Sequence, residues 1–236
     1  MKTNLIPPVI LLAASLTGTS LALTPIKERF TGGTIDPARW YQYGVGTAKM
    51  TQAKGLLNFV VPSNSTHDAL ASLELLTSQP GFNESWQMTL DLADITNADQ
   101  GTGIGFMIFN TADRSDYLYV EFFGPKGVAA GALVNGKEAT KRLSTKVGLA
   151  NGSIRVRFDS STKLMTFSVS LTDPAAAYKW VKIGTFSPTG KTGNVNANWN
   201  MNASGRFGIQ LFAFSDAKVV KPGKLTLDNF VLSAVP

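Results

Sequence analysis

The sequence has no cysteine and only one histidine, His67, among its 236 residues. A chain without cysteine forms no disulfide and offers no thiol nucleophile, so a hydrophobic core must supply its stability. A single histidine excludes a histidine-rich zinc site, and a Ser-His-Asp triad would have to use His67. The sequence also lacks a G-x-x-x-x-G-K-[ST] segment, so a phosphate-binding nucleotide loop has no support.

Runs of like charge are missing as well. The formal net charge is +6, but lysine and arginine are dispersed along the chain. Dispersed positive charge suits adhesion to acidic surfaces or polysaccharides, whereas nucleic-acid binding favours a concentrated basic patch. We therefore expect no nucleic-acid partner.

The only long apolar run lies at the N-terminus, from Leu5 to Leu21. Thr17–Ser20 shorten it below the ~20 residues that a membrane span needs. Ser20-Leu21-Ala22 places small residues where signal peptidase cleaves. We expect residues 1–22 to be a removed signal peptide, with a retained anchor as the alternative. Removal leaves 23–236 as one domain without a membrane span, secreted, extracellular or in the cell envelope.

A helical repeat is absent from the rest of the chain, where no window of ten or more residues has an apolar stripe of period 3.6. Apolar and polar residues alternate with period 2 in many short segments instead, which is typical of strands. The predicted strands are Leu56–Val61, Leu70–Leu76, Trp86–Leu92, Ile104–Asn110, Val128–Val134, Ile154–Phe158, Met165–Leu171, Trp180–Phe186, Phe207–Phe214 and Leu225–Leu232. Short strands at even spacing predict an all-β fold, an antiparallel two-sheet β-sandwich.

The segment D-Y-L-Y-V-E-F-F-G-P, Asp116–Pro125, is a predicted strand that carries large side chains on both sides. Tyr117, Tyr119 and Glu121 share one side, and the residues between them face the other way. Period 2 does not say which side packs into the core. The tyrosine side is therefore either an open surface or part of the space between the sheets.

Three segments resemble the concanavalin A-like lectin and glucanase superfamily. K-E-R-F-T-G-G-T-I-D-P-A-R-W, Lys27–Trp40, is similar to the opening E-F-x-G-x-x-L-D-x-x-x-W of secreted laminarinase- and lichenase-type glucanases. L-T-L-D-N-F-V-L, Leu225–Leu232, is similar to their closing strand. Gly103–Val120 resembles the central hairpin of lectin-like and laminin-G-like domains. The resemblance covers residues 27–236 and implies a concanavalin A-like jelly roll.

A structural calcium ion is common where the chain ends of these glucanases meet. The resemblance assigns it here to the backbone carbonyls of Glu28 and Gly55 and the carboxylate of Asp228. Calcium accepts such mixed carboxylate and carbonyl oxygens in flexible geometry. In the alternative, Asp228 accepts hydrogen bonds from backbone amides of the adjacent strand.

The catalytic motif of these glucanases, E-x-D-x-x-E, is absent. Retaining glycosidases need two carboxyl groups about 5–5.5 Å apart, and no predicted strand carries two acids at a suitable spacing. We therefore assign no catalytic residue. Two enzymatic alternatives stay open: a carboxylate pair from two strands, Glu74 with Glu121, and a lyase base provided by His67 with Tyr117 or Tyr119.

Sugar binding requires aromatic faces together with amide, hydroxyl or carboxylate groups. The candidates are Tyr117, Tyr119 and Glu121 on the predicted strand, and Asn198, Trp199 and Asn200 in the long irregular segment 188–205. Alternatively, Trp199 does not contact a ligand but anchors its loop by packing on the core. We interpret the chain as a noncatalytic, lectin-like carbohydrate-binding or surface-adhesion protein whose partner is a polysaccharide or cell-surface glycan. A divergent polysaccharide hydrolase or lyase, and a structural extracellular module without a glycan ligand, are the alternatives.

Overall fold

The structure is a computed structural model of the chain. It describes residues 23–45, 48–60, 68–94, 101–123, 127–134, 137–144, 151–190, 199, 201–216 and 225–235, with the backbone alone for 134 and 137–144. The expected signal peptide, residues 1–22, lies outside the described residues, as do His67, Asn198 and Asn200. The domain limits therefore stay predictions.

These residues form fifteen strands and no helix, so no candidate for a membrane-crossing helix is found among them. The strands are β1 (Ile26–Glu28), β2 (Trp40–Val45), β3 (Lys49–Ala53), β4 (Leu56–Val60), β5 (Ala69–Leu75), β6 (Trp86–Asp94), β7 (Thr102–Asn110), β8 (Asp113–Phe123), β9 (Gly127–Val134), β10 (Lys137–Ser144), β11 (Gly152–Asp159), β12 (Leu164–Ser170), β13 (Trp180–Phe186), β14 (Phe207–Ser215) and β15 (Leu225–Ala234). Each predicted strand is present, with its ends shifted by at most a few residues.

The strands form two antiparallel sheets. The eight-stranded sheet has the order β13-β12-β11-β6-β15-β4-β3, and β1 also pairs with β15. The seven-stranded sheet has the order β10-β9-β8-β7-β14-β5-β2. The two sheets pack face to face, which confirms the predicted all-β, antiparallel two-sheet sandwich.

The core lies between the sheets and is built from alternate residues of every central strand, because neighbouring side chains of a strand point to opposite faces. Its largest members are aromatic. Phe158 and Phe207 meet edge to face with ring centroids 4.9 Å apart, and Trp86 lies 5.4 Å from Phe207. Edge-to-face pairs at these distances stabilise a core beyond the area that they bury. This aromatic cluster joins β11 and β6 of one sheet to β14 of the other.

Three tryptophans in strands have two different environments. Trp40 and Trp86 are buried in the core. Trp180 is half-buried and packs on the outer face of the eight-stranded sheet, where the Arg155 guanidinium lies 4.3 Å from its ring centroid. The reason is register, since Trp180 pairs with Ser170, which faces away from the second sheet.

Candidate functional site

Strand β8 turns its tyrosine side outward. Leu118, Val120 and Phe122 are fully buried in the core. Tyr117, Tyr119 and Glu121 alternate with them, are half-buried, and lie on the outer face of the seven-stranded sheet. Of the two orientations that the sequence left open, the structure has the one in which the tyrosines point away from the core.

Register places more aromatic residues on the same outer face. Tyr119 pairs with Met107 of β7, and Glu121 pairs with Gly105. The pairing continues through β14 and β5 to β2. We call this surface the aromatic face; its aromatic members are Tyr41, Tyr43, Phe109, Tyr117, Tyr119, Phe123, Phe212 and Phe214. Tyr117 and Tyr119 have ring centroids 6.3 Å apart, and the rings of Phe212 and Phe214 are also 6.3 Å apart and nearly parallel at 18°.

Glycines leave room for several of these rings directly over the backbone. A Cβ on Gly103 would be 2.7 Å from Cζ of Phe214, and one on Gly127 would be 2.6 Å from Cε1 of Phe123. Distances this short leave no room for any side chain, so each ring occupies the space over its glycine. Aromatic side chains on an outer sheet face are the groups that stack on the apolar side of a sugar.

One end of the aromatic face is closed by Arg114. Its guanidinium lies 4.4 Å from the ring centroid of Phe109 and forms an ion pair with Glu74. The backbone on either side of Arg114 is held by Asp113, whose carboxylate accepts hydrogen bonds from the Ser115 amide at 3.0 Å and the Ser115 hydroxyl at 2.8 Å. These bonds lower the pKa of Asp113. Phe109 is therefore covered. Phe212 is buried as well, whereas Tyr41 is exposed and the other rings of this face are half-buried.

Polar groups lie among the rings. Gln210 of β14 donates a hydrogen bond of 2.6 Å from Nε2 to the Ser72 hydroxyl. Gln210 and Glu121 are both half-buried on this face, two residues apart in register. An amide and a carboxylate beside aromatic rings are the groups that bind sugar hydroxyls.

Glu74 and Glu121 both lie on the aromatic face but on distant strands. β14 and β7 separate β5 from β8, so three interstrand spacings put their backbones about 14 Å apart. Glycosidase carboxyl pairs stand about 5–9.5 Å apart. Moreover, Arg114 draws Glu74 toward the Phe109 end, away from Glu121. The geometry argues against this pair as a hydrolytic dyad.

Trp199 is 5% exposed and packs in the core against Phe207, with ring centroids 6.4 Å apart. Its backbone is fixed at both groups: its amide donates to the Pro188 carbonyl at 2.9 Å, and its carbonyl accepts from Asn110 Nδ2 at 2.8 Å. This is the anchor arrangement. Trp199 is not brought together with Tyr117, Tyr119 and Glu121, and its expected partners Asn198 and Asn200 lie outside the described residues.

The three positions expected to hold calcium meet at one junction. Glu28 pairs with Phe230, two residues from Asp228, and the Arg29 carbonyl lies 3.9 Å from where a Cβ of Gly55 would be. One carboxylate with backbone carbonyls is a donor set that suits calcium. The Glu28 carboxylate is engaged elsewhere, with the Phe30 amide and Arg39. Among the described residues no group of three or more acidic, histidine or cysteine side chains is placed to hold a metal.

Sequence reasoning missed the contribution of β14 to the aromatic face. The strand reads F-G-I-Q-L-F-A-F, and its core side consists of Phe207, Ile209, Leu211 and Ala213. Phe212 and Phe214 consequently point away from the core. Like β8, β14 is apolar on both sides. This pattern could have indicated from the sequence that the outer side of the strand is also covered or binds a partner.

No protein-family model matches the chain, and no curated protein matches it. Solved structures do. A protein of unknown function, SO2946 from Shewanella oneidensis MR-1, is 10% identical with TM-score 0.58, covering 92% of this chain and 89% of that one. The carbohydrate recognition domain of Emp47p is 15% identical with TM-score 0.55, covering 90% and 95%. Lectin UEA-II, solved with galactose, is 12% identical with TM-score 0.57, covering 90% and 99%. The chain has the concanavalin A-like jelly-roll fold.

Proposed function

We propose that the aromatic face is a noncatalytic carbohydrate-binding surface. The observation that carries the proposal is the orientation of β8, with Tyr117, Tyr119 and Glu121 outward and their neighbours fully buried. Large aromatic side chains on an outer sheet face have a cost in exposed apolar area, which a bound sugar ring removes. The face combines aromatic rings with an amide and a carboxylate, and these are the two kinds of contact that sugars require.

Support of a weaker kind comes from proteins of the same fold. Lectin UEA-II was solved with galactose, and the Emp47p domain is a carbohydrate recognition domain. Because these proteins share so few identical residues with this chain, they show only that the fold is the same. The proposed class of ligand therefore depends on the residues of the aromatic face. We propose that the ligand is a polysaccharide or cell-surface glycan. We also propose that the protein is exported, with its signal peptide cleaved after Ala22.

The binding test uses the purified chain on an array of neutral and acidic glycans, followed by calorimetry with any glycan that binds. Tyr119→Ala should weaken binding at least tenfold, because each well-packed aromatic contact contributes about 1.5 kcal/mol or more. Val60→Ala, an exposed position of the other sheet, is the matched control and should bind like the original chain. An array without a single hit would sink the proposal and favour a structural module.

The enzymatic alternative has its own readout. A divergent hydrolase would release reducing sugars from one of these polysaccharides, and a lyase would create an unsaturated product with ultraviolet absorbance. The carboxylate separation argues against the hydrolase, so we expect no release of reducing sugars. The noncatalytic proposal also predicts no unsaturated product. Turnover that Glu121→Gln or His67→Ala abolishes, with folding retained, would replace the binding proposal.

Calcium at Glu28, Gly55 and Asp228 is a separate proposal. A bound ion stabilises the folded state by mass action, so thermal melting with millimolar calcium should exceed melting with a chelator. Asp228→Asn should remove the difference. Equal melting temperatures in both conditions would exclude a stabilising ion.

A further inference from the structure

The opposite side of the molecule has a buried carboxylate with several donors. Asp91 of β6 is 5% exposed on the outer face of the eight-stranded sheet. It accepts hydrogen bonds from the Ser153 hydroxyl at 2.7 Å, from the Tyr178 hydroxyl at 3.2 Å and from Asn229 Nδ2 at 3.3 Å. Hydrogen bonds to an ionised acceptor are among the stronger ones in proteins. Asp91 therefore fixes three side chains that come from three separate parts of the chain.

Tyr178 reaches Asp91 because the β12–β13 connection, residues 171–179, folds back over the sheet. The side chains beneath it are small: Ser170 and Ser153 are adjacent in register and fully buried. Ser170 holds the connection in place, since its hydroxyl accepts from the Lys179 amide at 3.0 Å and lies 2.8 Å from the Thr172 hydroxyl. Larger side chains at the two serines would lift the connection from the sheet.

The ring of Tyr178 is supported from behind. It stacks on Trp180 with centroids 4.9 Å apart and an angle of 28°. Trp180 in turn has the Arg155 guanidinium 4.3 Å from its ring centroid. With its hydroxyl bound to Asp91 and one face on Trp180, Tyr178 has a fixed orientation, yet 42% of the residue is exposed. A ring ordered before binding loses little conformational entropy when a ligand stacks on it.

A bulge in β15 brings two more polar groups to this ring. The pairing of β15 with β6 jumps from Leu227 to Phe230, which leaves Asp228 and Asn229 opposite Asp91. Asp228 is half-buried, and in the described part of the chain no donor forms a hydrogen bond with its carboxylate. A half-buried carboxylate without a donor gains most from ligand hydroxyl groups.

We propose that Tyr178, Trp180, Asp228 and Asn229 form a second binding site, the Tyr178 site, for a neutral sugar unit of a glycan. The pyranose stacks on the exposed face of Tyr178, and its hydroxyls donate to Asp228. Two carboxylates, Asp91 and Asp228, disfavour uronate or sulfated sugars at this position by like-charge repulsion. This inference stands apart from the aromatic face, which lies on the other sheet.

The test uses Tyr119→Ala as background, so that the aromatic face contributes little, and chelator, so that no cation competes for Asp228. Neutral gluco-, manno- and galacto-oligosaccharides are titrated by calorimetry and by amide chemical shifts. We expect binding that shifts amides of 171–180 and 228–229. Tyr178→Ala should abolish this binding, and Asp228→Asn, an isosteric change in a half-exposed position, should weaken it threefold or more. Glucuronate-containing oligosaccharides should bind at least tenfold more weakly than neutral ones.

The outcomes separate the two sites. Binding that Tyr119→Ala alone eliminates supports the aromatic face and overturns the Tyr178 site. Residual binding that Asp228→Asn and Tyr178→Ala both leave unchanged, or shifts confined to the seven-stranded sheet, also overturns it. Binding that Tyr178→Ala abolishes but Tyr119→Ala leaves unchanged supports the Tyr178 site. This holds even if the aromatic face binds no glycan.

Discussion

Gly105→Ala should destabilise the protein more than an alanine at the other glycines of the aromatic face. Gly105 lies in β7 opposite Glu121 of β8. A Cβ there would overlap the Val120 carbonyl oxygen and lie 2.7 Å from Cα of Glu121. Both are backbone atoms, which cannot rotate away as a ring can. The two central strands would have to separate by roughly 1 Å, and overpacking of this kind costs about 1–3 kcal/mol.

We expect a loss of stability at the upper end of that range, because the strain falls on the hydrogen-bonded backbones of β7 and β8. Chemical unfolding in urea measures it: with a slope of about 3 kcal/mol per molar, a loss of about 3 kcal/mol lowers the midpoint by about 1 M. Gly33→Ala is the control, because a Cβ at Gly33 meets nothing within 4 Å. A Gly105→Ala midpoint equal to that of Gly33→Ala would refute the close approach of β7 and β8. The same variant should weaken glycan binding, because β8 carries Tyr119 and Glu121.

Three further changes test separate parts of the structure. Trp199→Ala should lower stability by about 3–5 kcal/mol in thermal or urea unfolding, because the indole is buried, yet leave the affinity of the folded fraction unchanged; a selective loss of affinity would instead make Trp199 a ligand contact. Burial and the carboxylate of Asp91 raise the pKa of Tyr178 to about 12, whereas the unfolded chain loses this proton near pH 10. The folded state then holds the proton more tightly, so its extra stability is complete below pH 10 and declines as pH rises toward 12; melting curves should show that decline, and Tyr178→Phe should reduce it. Arg114→Ala should cost about 1 kcal/mol, since an exposed ion pair and a cation–π contact are each weak, and Arg114→Lys should recover only part of it in the same unfolding assay.

The fold could be predicted from the sequence to a large extent. Apolar alternation in segments such as Trp86–Leu92 and Ile154–Phe158 fixes strands locally, because the pleat repeats every two residues. The sequence has no helical apolar stripe and no cysteine. A β-sandwich stabilised by a large apolar core was therefore the fold class consistent with it. The concanavalin A-like resemblance at the two ends and the central hairpin was confirmed as a likeness of fold. Signal cleavage, calcium and secretion stay predictions.

The candidate site depended on information that is not local. Period 2 groups Tyr117, Tyr119 and Glu121 on one side of a strand, but it treats both sides alike. Only the packing of the second sheet against Leu118, Val120 and Phe122 decided which side is accessible. The separation of Glu74 from Glu121 likewise depends on strand order, because β14, from far along the chain, lies between them.

The sequence by itself determined the strands, the sandwich class and the set of residues that share the tyrosine side of β8. Tertiary structure alone decided that this side faces away from the core, that Trp199 is buried, and that Tyr178 meets Asp91 across β12 and β11. The physical reason is that side-chain direction within a strand is local geometry. Burial and hydrogen-bond partners, in contrast, are set by register with strands that are distant in sequence.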